Sequence, residues 1–359
     1  MAKMQNRLRD VRQARGLTQQ ALANQAGLTR QTVGAIEAGD YGPSLEVALR
    51  LARALGAPLD DIFSLASDRE PDAALLPRSG ATRVLSAMIG GREVLRDVGS
   101  LGAYRWPAAA ADGVAEVDVD ARVALRRFAA ARADTVFLAG CDPALGLVAE
   151  HLQQRGLRAF WFTSGSGAAL SQLRNQRTHF GAVHWTQGED PPAVPDGVER
   201  LELSRWQMGF VVRHQETRFK EAQDLGLPGL RLANREQGAG ARRLLDRLLA
   251  QVGVAASLVA GYGWELQGHW EVANAVAQGA ADVAIASGAA AEAFSLDFLP
   301  LSAEMCEVWW EKGTVSADVV QRLGDTLLSS AFRRDLGAFG PFDTARTGAV
   351  PDLVQRGKG

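Results

Sequence analysis

The stretch Thr18-Gln19-Gln20-Ala21-Leu22-Ala23-Asn24-Gln25-Ala26-Gly27-Leu28-Thr29-Arg30-Gln31-Thr32-Val33-Gly34-Ala35-Ile36-Glu37-Ala38-Gly39 sets the organisation of this chain. Thr18 is a helix N-cap residue, and Ala21, Leu22 and Ala26 recur at helical spacing to give a small apolar face. Gly27 supplies the positive φ that stops this helix, and Thr29 caps a second one. Val33 and Ile36 turn inward on the second helix, which leaves Thr29, Arg30, Gln31, Thr32 and Ala35 outward. Two short helices joined so tightly form a helix-turn-helix, whose second helix fits a DNA major groove. Arg30 and Gln31 suit that groove, because Arg reads guanine and Gln reads adenine through paired hydrogen bonds.

The flanks extend the pattern. Leu8, Val11 and Ala14 form an apolar stripe on a helix studded with Arg7, Arg9, Arg12 and Arg15. Pro43-Ser44 caps a helix carrying Leu45, Val47, Ala48, Leu51 and Leu55, Gly56 stops it, and Pro58 to Phe63 adds a last short helix. This five-helix pattern over residues 4–65 resembles the lambda and 434 repressor-like (XRE-type) DNA-binding domain. The resemblance implies double-stranded DNA as a partner, with Gln19 on a phosphate and Arg30, Gln31 and Thr32, beside Thr29, at the bases. A module of this type binds paired half-sites, so a homodimer is expected.

The formal net charge is −2, but residues 1–65 hold eight Lys and Arg against six Asp and Glu. DNA contact therefore falls to the N-terminal region, with few and salt-sensitive phosphate contacts. Only Cys141 and Cys306 are present, far apart in the chain. With no signal peptide, they fit a reduced cytoplasmic location, and no apolar run reaches the roughly 18 residues that cross a membrane.

Beyond the first domain (1–65), residues 66–81 mix charge, Pro and Gly and read as a linker. Residues 82–120 read as a β-hairpin and connector, with alternation from Thr82 to Val98 around Gly90-Gly91 and a further strand from Val114 to Val119. From residue 121 strands alternate with helices, the signature of α/β units on a mostly parallel sheet. Strands are expected at Thr135–Gly140, Leu157–Phe162, Phe180–Trp185, Arg200–Val212, Leu230–Ala233, Asp282–Ala286 and Asp297–Trp310, and one long last helix over Val315–Phe332. Two lobes follow, lobe I over about 121–205 and 300–359 and lobe II over about 206–299, joined by two crossing strands around a cleft.

Two loops, each after a strand and before a helix, carry the chemistry. The first offers Thr163, Ser164, Ser166 and Gly167; the second offers Asn234, Arg235, Gly238, Ala239, Gly240 and Arg242. Free N–H groups at a helix start attract anions, and the hydroxyls and guanidinium groups add donors. His184 ends a strand that points at the same cleft. No metal-ligand spacing, nucleophile elbow or close carboxylate pair is visible, so an enzyme is not expected.

Asp142-Pro143-Ala144-Leu145, both loops, Asn234-Arg235…Gly238-Ala239-Gly240-Ala241-Arg242, Gly268-His269, Gly279-Ala280-Ala281-Asp282-Val283 and Leu296-Asp297-Phe298 together resemble the cytoplasmic type II periplasmic-binding-protein-like domain, similar to molybdate- and tungstate-binding proteins. The resemblance implies a multidomain regulator: an all-α helix-turn-helix domain followed by a two-lobed α/β clamshell over 121–359. It adds Asp142 to the candidate ligand contacts, and implies molybdate, tungstate or a molybdenum-cofactor-related species as effector with no resident cofactor. Trp185, Trp264 and Trp270 leave an organic ligand open, and an enzyme or carrier of molybdenum-cofactor metabolism with an autoregulatory DNA-binding domain is the alternative from another class.

Overall fold

The computed structural model describes residues 4–57, 59–65, 71–101, 110–118, 120, 122–128 and 132–351. At the N-terminal end, β1 (Met4–Asn6) precedes α1 (Leu8–Ala14), α2 (Gln19–Ala26), α3 (Arg30–Ala38), α4 (Leu45–Leu55), α5 (Leu59–Ile62) and β2 (Phe63–Leu65). Thr18 accepts the Ala21 N–H, Thr29 that of Thr32 and Ser44 that of Val47, so three successive helices are capped by their own sequence. Gly27 takes the left-handed conformation (φ 66°) that ends α2 and turns the chain into α3. Leu8, Leu22, Val33, Ile36, Leu51 and Leu55 meet in one buried cluster. The antiparallel β1–β2 ribbon was not expected from the sequence; it pairs Met4 with Leu65 and closes the two ends of the helical unit on each other.

A four-stranded antiparallel sheet follows, built from β3 (Gly80–Ile89), β4 (Arg92–Asp97), β5 (Gly113–Val117) and β6 (Val123–Arg127) in the order β4-β3-β5-β6. Gly90 and Gly91 both have positive φ, as a two-residue hairpin turn between right-twisted strands requires. The sheet reaches Arg127, past residue 121 where the two-lobed unit was expected to start, because β6 pairs with β5 along its whole length. The expected 66–81 linker is also corrected. Residues 66–70 lie outside the described residues, but Asp72 is bonded to the backbone of Glu93 and Leu95 and forms ion pairs with Arg92 and Arg177. A carboxylate held by two guanidinium groups pins this half of the segment to folded structure.

The two-lobed unit contains β7 (Thr135–Gly140), α6 (Ala144–Gln154), β8 (Arg158–Thr163), α7 (Ser166–Arg174), β9 (Phe180–Thr186), β10 (Val198–Val212), β11 (Leu232–Arg235), α8 (Gly240–Val252), β12 (Glu265–Leu266), α9 (His269–Ala277), β13 (Val283–Ser287), α10 (Gly288–Ala293), β14 (Asp297–Glu311), α11 (Ala317–Leu328) and α12 (Ser330–Phe339). Its mixed sheet runs β12-β11-β13-β10-β14-β9-β7-β8. The long antiparallel strands β10 and β14 pair from Val198–Glu311 to Val212–Asp297 and belong to both lobes. One end of β14 pairs with β9, and the far end of β10 pairs with β13. The expected single helix over Val315–Phe332 is instead α11 and α12. Ser329 is extended (φ −69°, ψ 138°) and its hydroxyl accepts the Phe332 N–H, so a local cap replaces helix continuation.

The four-stranded sheet has a definite job. Leu85, Ala87, Ile89 and Val94 pack on Phe137, Phe160 and Phe162, covering the face of β7 and β8 opposite α6. Parallel strands need both faces covered, and here a second sheet does what a helix does elsewhere. His179 ties the two sheets: its Nδ1 accepts the Phe137 N–H at 3.0 Å and its Nε2 donates to the Met88 carbonyl at 3.2 Å.

Candidate functional site

The first candidate surface is α3. Arg30 and Gln31 are exposed at its start, and the Thr29 and Thr32 hydroxyls bond each other at 2.8 Å. The side chain of Glu37, on the inner side of the same helix, is buried and receives Arg12 Nε at 2.6 Å and Gln19 Nε2 at 2.9 Å. Burial pushes its carboxyl upward, but bonds from Arg12 and Gln19 and the charges of Arg12 and Arg9 bring it below the usual range. This locks α3 against α1 and α2. Gln19 thus has one amide hydrogen committed inside the domain, a role that its expected place on a phosphate did not include.

The second is the cleft, where the starts of α7, α8 and α9 converge. Their N-cap positions are Gly165, Ala239 and Gly268, and none supplies a side-chain cap. The two lobes touch there. A Cβ on Gly240 would lie 2.8 Å from His184 Cε1, one on Gly268 3.3 Å from Thr163 Cγ2, and one on Gly165 3.6 Å from Glu236 Oε1. Only glycine at position 240 lets the lobes approach this closely. Four buried polar atoms at this junction, Ser164 Oγ, Trp206 Nε1, His269 Nδ1 and the carboxylate oxygen Glu271 Oε2, have no hydrogen-bond partner among the described residues. Trp206 is 3% exposed and His269 1%, so water does not satisfy them from outside.

Charge is arranged around these open groups. Arg235, 2% exposed, grips Glu236 with Nε–Oε2 at 2.8 Å and Nη2–Oε1 at 3.0 Å. His184 Nδ1 lies 3.1 Å from Glu304 Oε2. Burial opposes its charge, but Cys141 and Glu304 outweigh that and lift its pKa to about 10. His269 is held neutral, first by burial and then by the charges of Arg235 and His184. Trp206 sits between the two imidazoles, 5.3 Å from each ring centroid. Outside them opens a cavity of about 570 Å³, lined among others by Ser166, Gly167, His184, Trp185, Met208 and Gly240. Uncapped helix starts, a guanidinium and an imidazolium together favour a bound anion.

A two-lobed α/β sheet crossed by two shared strands, with uncapped helix starts facing each other across the cleft, is the architecture that the family comparison recognises. Residues 149–328 match the PBP superfamily domain. The chain belongs to the PBP superfamily. Ahead of that domain, residues 8–62 of this PBP-superfamily chain match the helix-turn-helix family. An HTH-type transcriptional regulator of Methanothermobacter thermautotrophicus is 50% identical over 66 residues, 18% of this chain and 96% of that protein. Bacillus subtilis YvgK is 34% identical over 127 residues, 35% of this chain and 41% of that protein, so the match spans less than half of YvgK. Among solved structures, a putative phosphate ABC transporter substrate-binding protein from Clostridium perfringens aligns with TM-score 0.45 and 11% identity, over 57% of this chain and 98% of that one.

Several expected ligand contacts of this PBP-superfamily cleft are spent elsewhere. Asp142 accepts the Ala144 N–H and the Ser204 hydroxyl, both at 2.9 Å, so its oxygens cap α6 and tie it to β10. Asn234 donates to the Tyr262 carbonyl and accepts the Arg235 N–H, ordering its own loop. Arg242 bonds Asp246, Glu265 and the Arg235 carbonyl and lies 4.2 Å over the Tyr262 ring. Ser166 accepts the His184 N–H at 3.2 Å and keeps its own hydrogen for the cavity. Ala239 and Gly240 form the open start of α8, whereas Gly238 precedes it with φ 87°. Of the three tryptophans proposed for an organic ligand, Trp185 lines the cavity, while Trp270 packs on Phe294 and Phe339 and Trp264 packs against the core. The sequence reading missed Trp206 and Glu236. A Trp inside a crossing strand and a carboxylate next to Arg235 were the only signals.

No helix among the described residues is long and apolar enough to cross a membrane, and no group of three or more His, Cys, Asp or Glu among them is placed to hold a metal ion.

Proposed function

We propose that this chain is a homodimeric, DNA-binding transcriptional regulator whose cleft binds an oxyanion and thereby changes operator affinity. The carrying observation is the meeting of three uncapped helix starts with Ser164 Oγ, Trp206 Nε1 and His269 Nδ1, buried and unbonded. Each such group costs about 1–3 kcal/mol while unsatisfied, and a ligand with acceptor oxygens removes that cost. Ser164, Trp206, Arg235 and His184 would hold the anion, while Arg30, Gln31 and Thr32 would read DNA. Arg235 reaches its ligand by exchanging Glu236 for it. Molybdate and tungstate are the inorganic candidates, and a larger molecule bearing an oxyanion group, such as a molybdenum-cofactor-related species, fits the same donors.

The test is titration of molybdate, tungstate, sulfate and phosphate against tryptophan fluorescence, to which Trp206 contributes as one of eight tryptophans, followed by DNA affinity at fixed salt with and without saturating anion. Ser164→Ala and Arg235→Ala should weaken the response. Coupling of roughly 1–3 kcal/mol between anion and DNA is expected, and it is reciprocal. Equal DNA affinities with and without a bound anion would rule out regulation through the cleft.

A further inference from the structure

Two features narrow what the anion belongs to. The first is that a carboxylate already occupies the Arg235 fork. Glu236 meets Nε and Nη2 side-on, with one oxygen on each nitrogen, and a Cβ on Gly165, at the start of α7, would lie 3.6 Å from its Oε1. Glu236 is therefore paired with a guanidinium of lobe II and stands close to a helix start of lobe I. Its side chain is 25% exposed, so it has a way out to water, whereas Arg235 is buried and does not.

The second feature is the space next to it. The cavity begins at Ser166, one residue past Gly165, and at Gly240, four residues past Glu236. Leu170, Val183, Trp185 and Met208 form its apolar wall, and Arg243 and Arg247 stand at its rim beside Glu189 and Asp246. At about 570 Å³ it lies within the roughly 300–1,000 Å³ of sites for organic ligands, and a bare tetrahedral anion would leave most of it unfilled.

We propose that the effector is an organic carboxylate with an apolar or aromatic body. Its carboxylate displaces Glu236 from Arg235, and its body lies along Leu170, Val183, Trp185 and Met208. This rests on the anion reading of the cleft given above. Exchange of one carboxylate for another keeps the buried guanidinium paired throughout, while the released Glu236 is rehydrated. The apolar wall then decides which carboxylates bind, since each buried CH₂ is worth about 0.8 kcal/mol.

The experiment uses the full chain and follows tryptophan fluorescence and thermal midpoint. The probes are benzoate, 3-phenylpropionate, hexanoate, acetate, benzamide and molybdate, applied to wild type, Glu236→Gln and Trp185→Ala. At least one of the three larger carboxylates should bind about tenfold more tightly than acetate or molybdate, and benzamide should not bind. Glu236→Gln removes the internal competitor and should tighten that carboxylate about tenfold. Trp185→Ala should weaken it and leave acetate unchanged. Acetate or molybdate matching or exceeding every larger carboxylate would overturn the organic-carboxylate proposal while the oxyanion function stands. Unchanged carboxylate affinity in Glu236→Gln would overturn the displacement. Silence toward every anion, in wild type and in Glu236→Gln, would remove the oxyanion function as well.

Discussion

The helices of the N-terminal domain and those of the cleft solve the same problem in opposite ways. Thr18, Thr29 and Ser44 each satisfy a free N–H at the start of their own helix. In the clamshell, Ser287, Ser316 and Ser329 do so for α10, α11 and α12. At Gly165, Ala239 and Gly268 the side-chain cap is absent, and these three helices face one another. A capped helix start has used one of its free N–H groups, whereas an uncapped one keeps them for another acceptor. The buried histidines repeat the contrast: His179 is bonded through both nitrogens, whereas His269 Nδ1 has no partner among the described residues.

The largest test of this contrast is steric. Gly240→Val places carbon 2.8 Å from His184 Cε1, and His184 is fixed by Glu304. The lobes then cannot meet, and anion affinity should fall roughly 10- to 100-fold while DNA affinity without anion is kept. Isothermal titration and a DNA-binding assay on the same preparation check both halves.

The saturated histidine is tested with acid. Burial holds His179 at about pKa 4, below its ordinary 6.5, and its Nδ1 is already an acceptor. The unfolded chain therefore takes up this proton first as pH falls. The contribution is fully present above pH 6.5 and is lost between pH 6.5 and 4, by roughly 3 kcal/mol. Urea unfolding at pH 7, 5.5 and 4.5 should show the loss, and His179→Asn should flatten the part of the slope that belongs to it.

On the DNA side, Arg30→Ala and Gln31→Ala should each cost about 1–3 kcal/mol of specific affinity with no change in melting temperature, because both side chains are exposed. Unchanged operator preference in Arg30→Ala would remove α3 as the reader. The smallest effects set the two kinds of helix start directly against each other. Thr29→Ala should destabilise the chain by about 1 kcal/mol. Gly165→Ser should do the reverse, adding a few tenths of a kcal/mol while weakening the anion, since the new hydroxyl competes for the same N–H groups. Stabilisation without loss of anion affinity would show that the α7 start does not face the ligand.

What the sequence determined by itself was local. Helix starts at Thr18, Thr29 and Ser44, the turn at Gly27, the hairpin at Gly90-Gly91 and the buried strands Thr135–Gly140 and Phe180–Trp185, the latter running one residue further to Thr186 in the structure, follow from residues within a few positions of one another. The order of these elements was enough to anticipate two lobes joined by crossing strands. Only the tertiary structure decided which polar groups remain open. Asp142, Asn234 and Arg242 look as suitable as Ser164 in the sequence, yet Ser204 of β10, the Tyr262 carbonyl and Glu265 have already taken their bonds. Trp206 enters the site because β10 crosses between the lobes, and Asp72 leaves the linker because Arg177 lies over it. A residue's type fixes how many hydrogen bonds it can make, but distant parts of the chain, brought close by folding, decide how many are left for a ligand.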